Sequence, residues 1–595
     1  MTEIVAFASL AEDAVSAAMA RVLPPGLSGR DPLVRPSEHA DFQSNVALSL
    51  AGQAGLTPRE LAGALRDELA DGPVTAELSG AGFLNLTLAD PLLWTQVAAR
   101  LADPWLGVGA PLTGTRTVVD YCGVNVAKEM HVGHLRTTVI GDCLARVLSR
   151  LGGEVVRQNH LGDWGTQFGM LIQYLDEHPE APWQHGAPAD RVALLDGLYR
   201  AARQEFDADP AFADRSRRRL VALQSDEPAT LAVWQDLVAV SNRAFQQVFD
   251  RMGVLLTEQD AAGESSYNSH LPSVVAELTE SGIAVESAGA LCVFFEEITG
   301  PEGEPVPLIV RKSDGGFGYA AADLATLRYR VQRLRADRIL YVVDARQALH
   351  FRMLFATARR AGWLSGETEA VHVAFGTVTG PGGKPFKTRS GSTVRLADLL
   401  DAAVEGARAA VADKPHRLTE DQLEGVVRAA GIGAVKYADL STSRAKNYVF
   451  DIDRMVSLTG DTGVYLQYAH ARARRILAKA APATPATAPG TPTTGPTTGP
   501  IDPALPLTPE ERALVLHLDG FAAVLREVAR ELEPHRLCGY LFTLAKALTE
   551  FYPACPVLTA PTPALRANRL ALCALTAATL AQGLDLLGLQ APDRM

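Results

Sequence analysis

A strand–helix–strand unit between residues 115 and 157 constrains the fold of this chain more than any other stretch. Residues 115–121 (TRTVVDY) form a short apolar run that predicts a buried strand. The next apolar positions have the spacing of one face of a helix: Ile140, Leu144, Val147, Leu148 and Leu151. Gly152-Gly153 ends that helix, and residues 155–157 begin a second strand. Strands joined by a helix run parallel, so the unit predicts a parallel sheet with a ligand site at the carboxyl edge.

The 595 residues divide into four predicted regions around this unit. They are a small α+β domain, a Rossmann-like core with a helical insertion, a connecting helical region and a helical C-terminal domain: residues 1–110, 111–400 (insertion at about 185–255), 401–460 and 461–595. Residues 481–503 (APATPATAPGTPTTGPTTGPIDP) lack apolar periodicity, which predicts a disordered loop inside the last domain.

The charge of the chain argues against non-specific binding of nucleic acid. The formal net charge is −12, whereas such proteins are usually basic. Three local clusters are basic: Arg215, Arg217, Arg218 and Arg219; Arg328, Arg330, Arg333, Arg335 and Arg338; Arg472, Arg474, Arg475 and Lys479. Each cluster is either a solvated helix face, the commoner case, or a local patch for a polyanion.

Cysteine usage and the chain termini indicate where the protein acts. The six cysteines are scattered without a CxxC pair, which predicts a reducing compartment and no metal bound by cysteine. The N-terminus shows no basic and then apolar signal pattern. Polar residues interrupt the apolar stretch 571–589, so it predicts a buried helix and not a membrane span. We therefore expect a cytoplasmic protein without a membrane partner.

The tetrapeptide His131-Val132-Gly133-His134 lies between the first strand and its helix. Backbone N–H groups and the helix dipole favour a phosphate at that position, and two imidazoles one turn apart can donate hydrogen bonds to it. Gly133 allows a nucleotide to approach the backbone closely. The alternatives are a chance match and a metal site, although no third ligand is evident nearby.

A second candidate, Lys384-Pro385-Phe386-Lys387-Thr388-Arg389, follows the glycines of residues 380–383. A Gly-rich loop with two lysines suits negative charge that develops on a leaving pyrophosphate. The alternative is an exposed basic loop with no chemical role.

Together these motifs resemble those of the class I aminoacyl-tRNA synthetases, and longer stretches are similar to those of the arginyl family. These stretches are residues 125–136 (NVAKEMHVGHLR), 162–169 (GDWGTQFG), 263–265 (GES), 431–440 (GIGAVKYADL) and the chain end Arg594-Met595. The resemblance covers essentially the whole chain, and only residues 481–503 look foreign to it.

The resemblance implies ATP-dependent activation of L-arginine and its transfer to the 3′ end of tRNA(Arg). It implies an N-terminal domain that contacts the tRNA, a C-terminal anticodon-binding domain and a protein that we expect to be a monomer. ATP would be bound by His131, Gly133, His134, Lys384 and Lys387, with Mg²⁺ on the pyrophosphate and no metal held by protein side chains. The catalytic groups would be His131, His134, Lys384, Lys387 and Lys128.

The resemblance also implies an arginine site and a tRNA contact. The arginine site would comprise Asn125, Glu264, Tyr319, Asp323 and Gln347. A guanidinium is a planar fork of donors, which carboxylates and carbonyls match. Tyr552 and Met595 would approach the anticodon loop, where a ring and a thioether can contact splayed bases.

Two rival functions and one departure from the family pattern stay open. The rivals are a nucleotidyltransferase that makes a small cofactor, which would not need the helical C-terminal third, and a non-catalytic tRNA-binding paralogue. The departure is Cys122-Gly123-Val124, where the family has Ser-Ala-Pro before the asparagine. It is either neutral drift or the sign of a second, specialised copy with altered discrimination between arginine and its analogues.

Overall fold

The computed structural model describes residues 3–181, 183–299, 303, 305–380, 394–412, 418–481 and 499–595. In these residues an antiparallel N-terminal sheet, a parallel central sheet and a helical C-terminal region follow one another. The predicted α/β fold class is confirmed. Lys384, Lys387 and residues 482–498 of the predicted loop lie outside the described residues.

The N-terminal region is a four-stranded antiparallel sheet with helices on it. Its strands, in spatial order, are Val34–Pro36, Phe42–Ser44, Phe83–Leu88 and Val74–Ser79. Its helices are Phe7–Val22, Pro25–Ser28, Val46–Ala54, Pro58–Leu69 and Asp90–Ala102. Thr57 and Glu60 form a capping box that starts the fourth helix, because each side chain accepts the other's backbone N–H.

The central sheet has four parallel strands in the order Glu369–His372, Arg338–Tyr341, Arg116–Asp120 and Glu154–Gln158. The helix Gly133–Arg150 connects the last two, as predicted. From Arg116–Asp120 the chain first adds a strand on one side and later returns to the other side. The strand order therefore reverses between Asp120 and Tyr341, where ligands bind in open parallel sheets.

A smaller antiparallel sheet, a two-stranded parallel sheet and several helices complete the region around the central sheet. The antiparallel sheet consists of the strands Val285–Ser287, Ala290–Val293 and Leu308–Arg311. The parallel sheet consists of Val378–Thr379 and Tyr448–Val449. The helices are Thr166–Glu177, Pro188–Ala208, Pro210–Gln224, Pro228–Met252, Leu271–Glu280, Tyr319–Gln332 and Ala348–Arg360.

Helices make up most of the described chain after residue 394. They are Leu396–Val411, Glu420–Leu440, Ile452–Met455, Gly463–Ala480, Pro509–Asp519, Phe521–Glu531, His535–Ala554 and Pro563–Leu586. No helix in the described ranges is long and apolar enough to cross a membrane. All six cysteines are buried and unpaired.

A buried ion pair joins the central helix to the C-terminal region. Arg136 lies on the helix Gly133–Arg150, and its Nε is 3.3 Å from Oδ1 of Asp439 in Glu420–Leu440. Arg136 also donates to the carbonyl of Lys446 at 2.7 Å. The side chains of both members of the ion pair are essentially inaccessible, at 1% and 0% exposure. Water therefore cannot replace either partner.

We expect Arg136→Met to lower the free energy of unfolding by about 3–5 kcal/mol, because it leaves the Asp439 carboxylate buried without its cation. Arg66→Met is the matched control, since Arg66 pairs with Asp67 on the surface at 46% and 69% exposure. Such exposed pairs contribute roughly 0–1 kcal/mol. Chemical denaturation of the full-length protein measures both, and equal midpoints for the two variants would contradict the prediction.

Candidate active site

The stacked rings of His131 and His134 stand at the start of the helix that follows the strand Arg116–Asp120. Their centroids are 3.9 Å apart. The backbone N–H of His131 donates to Nδ1 of His134, and that of Gly133 donates to Nδ1 of His131, each at 3.0 Å. Both Nδ1 atoms are therefore acceptors, and a neutral ring carries its proton on Nε2.

Burial keeps both rings neutral. It lowers the pKa of His134 to about 3, and the neighbouring His131 adds to this effect. Burial also lowers the pKa of His131, to which the Lys128 ammonium makes a smaller contribution. Lys128 itself lies over the ring of Tyr199, with Nζ 4.3 Å from the centroid. The pair of imidazoles thus offers two Nε2–H donors without positive charge.

The free donors differ from those that the sequence predicts. The first backbone N–H groups of the helix are already used, by Val394 O, His131 Nδ1, His131 O and Val132 O. A phosphate would therefore meet the imidazoles before the helix backbone. The His131 ring also explains why residue 133 is a glycine, because a Cβ there would lie only 2.7 Å from Cε1 of His131.

The segment after the predicted basic loop pairs with this motif. Val132 N–H donates to the carbonyl of Val394 at 3.0 Å, and Leu396 N–H donates to the carbonyl of Met130 at 2.9 Å. The chain thus re-enters the described structure directly beside His131, with Arg395 as its bridge partner.

Asn125 lies against the stretch 162–169, one of those that resemble the arginyl family. It forms a parallel bridge with Gly162, and a Cβ at Gly162 would lie 2.1 Å from Oδ1 of Asn125. The unusual residues before it are fixed by hydrogen bonds: Cys122 N–H donates to Thr137 Oγ1 and Gly123 N–H to Asn159 Oδ1, each at 3.0 Å. Cys122 and Gly123 both have positive φ, 78° and 62°.

The carboxylates of Glu264 and Asp323 lie close enough for the charge of one to shift the pKa of the other. Asp163 holds the Glu264 segment in place, because its carboxylate accepts the N–H and the hydroxyl of Ser265 at 2.9 and 2.6 Å. Burial, together with the smaller effect of the Asp323 and Asp163 charges, raises the pKa of Glu264 to about 8. A cation between Glu264 and Asp323 would relieve this repulsion.

Two histidines that sequence reasoning missed flank Asp323. Nε2 of His350 is 2.7 Å from one carboxylate oxygen, and Nε2 of His160 is 3.9 Å from the other. They come from positions 27 residues after and 163 residues before Asp323, so no local spacing indicates the contact. The only sequence signals are that His160 precedes the motif at 162–169 and that His350 follows Gln347 closely.

The remaining predicted arginine contacts are open to solvent. Tyr319 begins the helix that carries Asp323 and is 70% exposed. Gln347 is exposed directly before the helix Ala348–Arg360, which carries His350. The structure therefore brings Glu264 and Asp323 together and leaves Tyr319 and Gln347 at the rim.

A buried arginine joins the helix that carries Asp323 to the central sheet. Arg330, on the helix of Asp323, lies 2.8 Å from Asp120 and donates to Oε1 of Gln158 at 2.6 Å. Asp120 and Gln158 end the two neighbouring central strands. Arg330 belongs to a predicted basic cluster but is fully buried, so it serves neither as a solvated face nor as a patch.

The other two basic clusters differ in their partners. Arg215, Arg217 and Arg219 pair with Glu177, Asp214 and Asp176, which favours a neutralised surface. On Gly463–Ala480, by contrast, the Arg472 guanidinium lies 4.5 Å from the ring centroid of Tyr552, while Arg475 and Lys479 are exposed. Met595 is half-buried against the core.

Three family descriptions match the chain in order. Residues 9–88 match the arginyl tRNA synthetase N-terminal domain, residues 106–452 the class I (R) tRNA synthetase catalytic domain, and residues 466–595 the DALR anticodon-binding domain. The chain belongs to the class I arginyl-tRNA synthetases. As an aminoacyl-tRNA synthetase it uses ATP as a substrate.

Relatives and solved structures agree with this membership. The synthetase is 63% identical over 591 residues to the arginine–tRNA ligase of Frankia casuarinae, with 98% of each chain covered. It is 51% identical to that of Streptomyces avermitilis, with 98% of this chain and 97% of the relative covered. The arginyl-tRNA synthetase of Thermus thermophilus has a TM-score of 0.75 at 26% identity and covers 99% of this chain and 100% of its own. That of Plasmodium falciparum shares the fold, with a TM-score of 0.79 at 24% identity and full coverage of both.

The described part of the synthetase contains no group of three or more His, Cys, Asp or Glu side chains placed to hold a metal ion.

Proposed function

We propose that this synthetase joins arginine to ATP in the cleft between His131 and Glu264, and then transfers it to the 3′ end of tRNA(Arg). The neutral Nε2–H donors of His131 and His134 carry this proposal, together with the carboxylates of Glu264 and Asp323, whose repulsion a bound guanidinium would relieve. In this proposal the phosphates of ATP bind at the two imidazoles, and the guanidinium of arginine binds at the two carboxylates. Charging of tRNA(Arg) with labelled arginine, together with ATP–pyrophosphate exchange, tests it; a chain that performs neither reaction has another function.

In the first step the arginine carboxylate attacks the α-phosphorus of ATP and pyrophosphate leaves. The two imidazoles hold the phosphates by hydrogen bonds, and Lys384 and Lys387 stabilise the charge on the leaving group. Mg²⁺ enters on the phosphate oxygens of ATP, which are the ligands that it prefers. Gly133 and Lys128 lie at this end of the cleft. In the second step a hydroxyl of the terminal adenosine attacks the carbonyl of the aminoacyl group and releases AMP.

At the other end, Glu264 and Asp323 receive the guanidinium, with Asn125, Tyr319 and Gln347 around the substrate. His350 already occupies one oxygen of Asp323, so the guanidinium bridges the two carboxylates and does not bind one of them bidentately. A lysine ammonium is a point charge and matches such a bridge poorly.

We propose that the anticodon loop of the tRNA contacts Tyr552, Met595 and the exposed cations of the helix Gly463–Ala480. Exposed aromatic rings and cations are the usual platform for unpaired bases. We further propose that the synthetase acts as a monomer in the cytoplasm, where its six unpaired cysteines stay reduced. The domain boundaries given above stay predictions.

We expect the affinity for arginine to rise with pH and to level off only above pH 8. The pKa of Glu264 is raised to about 8, so the carboxyl is protonated below that pH, whereas the guanidinium needs the ionised form. The dissociation constant should fall by roughly fivefold between pH 7 and pH 8, and binding should release protons. Calorimetry in buffers of different ionisation enthalpy measures both quantities. A dissociation constant that does not change with pH would show that Glu264 does not bind the guanidinium.

Glu264→Gln should lower kcat/KM for arginine at pH 8.5, because a charge-assisted hydrogen bond is lost. The decrease should correspond to a loss of at least ~2 kcal/mol in transition-state binding. The pH dependence of arginine binding should disappear with it. Glu258→Gln, the same change at an exposed carboxylate six residues earlier, is the matched control. Steady-state charging assays compare the two, and equal kinetics would show that Glu264 does not contact the substrate.

We also propose that Cys122-Gly123-Val124 alters discrimination against arginine analogues more than it alters catalysis, since these residues position Asn125. Restoring Ser-Ala-Pro introduces strain, because position 123 has a φ of 62°. That strain affects all substrates alike, so the ratio of kcat/KM for arginine and canavanine is the informative measurement. We expect the ratio to change by about fivefold or more, the scale of one misplaced hydrogen bond. An unchanged ratio would indicate neutral drift.

A further inference from the structure

Lys436 is a fully buried lysine at the junction of three segments. It lies in the helix Glu420–Leu440, and Nζ donates to the carbonyl of Met252 at 2.8 Å and to that of Gly588 at 2.6 Å. Met252 ends the helical insertion, and Gly588 begins the C-terminal tail. A buried ammonium is costly unless its donors are satisfied, so these bonds define where both segments must lie.

Asp142 connects the junction to the catalytic helix Gly133–Arg150. Its carboxylate accepts Leu255 N–H at 2.7 Å and Arg146 Nε at 2.8 Å. A Cβ at Gly588 would lie 2.5 Å from Nζ of Lys436 and 3.1 Å from Oδ2 of Asp142. Burial lowers the pKa of Lys436 to about 8, and the Asp142 carboxylate limits that fall. The tail at Gly588 therefore lies beside two buried charged side chains, Lys436 of Glu420–Leu440 and Asp142 of the helix Gly133–Arg150.

The tail also contacts the helix that carries the exposed basic residues. Gln467 donates to the carbonyl of Gln590 at 3.0 Å, and Nδ1 of His470 lies 3.0 Å from the carbonyl of Pro592. Both side chains are on Gly463–Ala480, the helix of Arg472. A force on that helix or on Met595 thus reaches Gly588 through the tail.

Two cavities leave the tail room to shift. One, of about 640 Å³, is lined by Gly588–Ala591 together with Gly253 and Arg146, and the other, of about 440 Å³, is lined by 590–594 together with Gln422. Leu587 and Leu589 are buried in the core, whereas residues 590–595 are exposed or only partly buried. The end of the tail is therefore held less closely than its start.

We propose that Lys436 is a positioning residue that couples contact of tRNA with the C-terminal tail to the placement of the catalytic helix Gly133–Arg150. The coupling runs from the tail through Gly588 and Lys436 to Asp142, two turns after His134. It rests on the proposed function, because it assumes that the tail side binds tRNA. Lys436 touches no substrate, so its loss acts on turnover and not on the binding of ATP or arginine.

Gly588→Ala tests the coupling, with Gly282→Ala as its control. Both glycines have nearly the same φ, 67° and 69°, but a Cβ at Gly282 meets nothing within 4 Å. The control therefore measures backbone strain alone. We expect Gly588→Ala to lower kcat for charging about tenfold, with KM for ATP and arginine unchanged and Gly282→Ala like wild type. Lys436→Met, which removes the ammonium without adding bulk, should reproduce the loss.

A double-mutant cycle separates coupling from a merely structural role. Deletion of residues 592–595 should lower kcat in the wild-type background and cause no further loss beside Gly588→Ala, because both changes break one path. Losses that multiply, or equal kinetics for Gly588→Ala and Gly282→Ala, would overturn the coupling while the wild-type protein still charges tRNA. If Lys436→Met does not fold, the cycle with Gly588→Ala decides by itself. A wild-type protein that charges no tRNA would instead overturn the proposed function.

Discussion

The ion pair of Arg330 with Asp120 is the interaction on which the geometry of the site depends. It ties the carboxyl ends of two central strands to the helix Tyr319–Gln332. Since Asp323 lies two turns before Arg330 on that helix, the position of its carboxylate is set by a charge beneath it. Removing either partner would leave an uncompensated charge in the interior, which is far more costly than losing a surface pair.

Burial favours the neutral form of both kinds of candidate site residue. Desolvation lowers the pKa of His131 and His134, so that both rings are neutral and can donate from Nε2. At Glu264, desolvation and the charges of Asp323 and Asp163 raise the pKa of the carboxyl to about 8. The same physical cause, exclusion of water, thus tunes two kinds of group in opposite directions.

Motifs that depend on local sequence could be predicted from the chain. The periodicity of residues 140–151 and the capping pair Thr57 and Glu60 act within a few residues of each other, so the helix Gly133–Arg150 and the start of Pro58–Leu69 are predictable. The family resemblance extended this to the whole fold and to the function. The free donors at His131-Val132-Gly133-His134 were not predictable, because they depend on which backbone N–H groups the imidazoles themselves occupy.

By itself the sequence determined the parallel-sheet unit, the order of the regions and the family, because apolar periodicity and long motifs are written along the chain. Only the tertiary structure decided that Arg330 and Lys436 are buried, that His160 and His350 flank Asp323, and that the tail at Gly588 rests on the catalytic helix. A charged residue looks the same in sequence whether it is solvated or buried. Its partner, which can be 150 residues or more away, as Gly588 is from Lys436, decides which of the two it becomes.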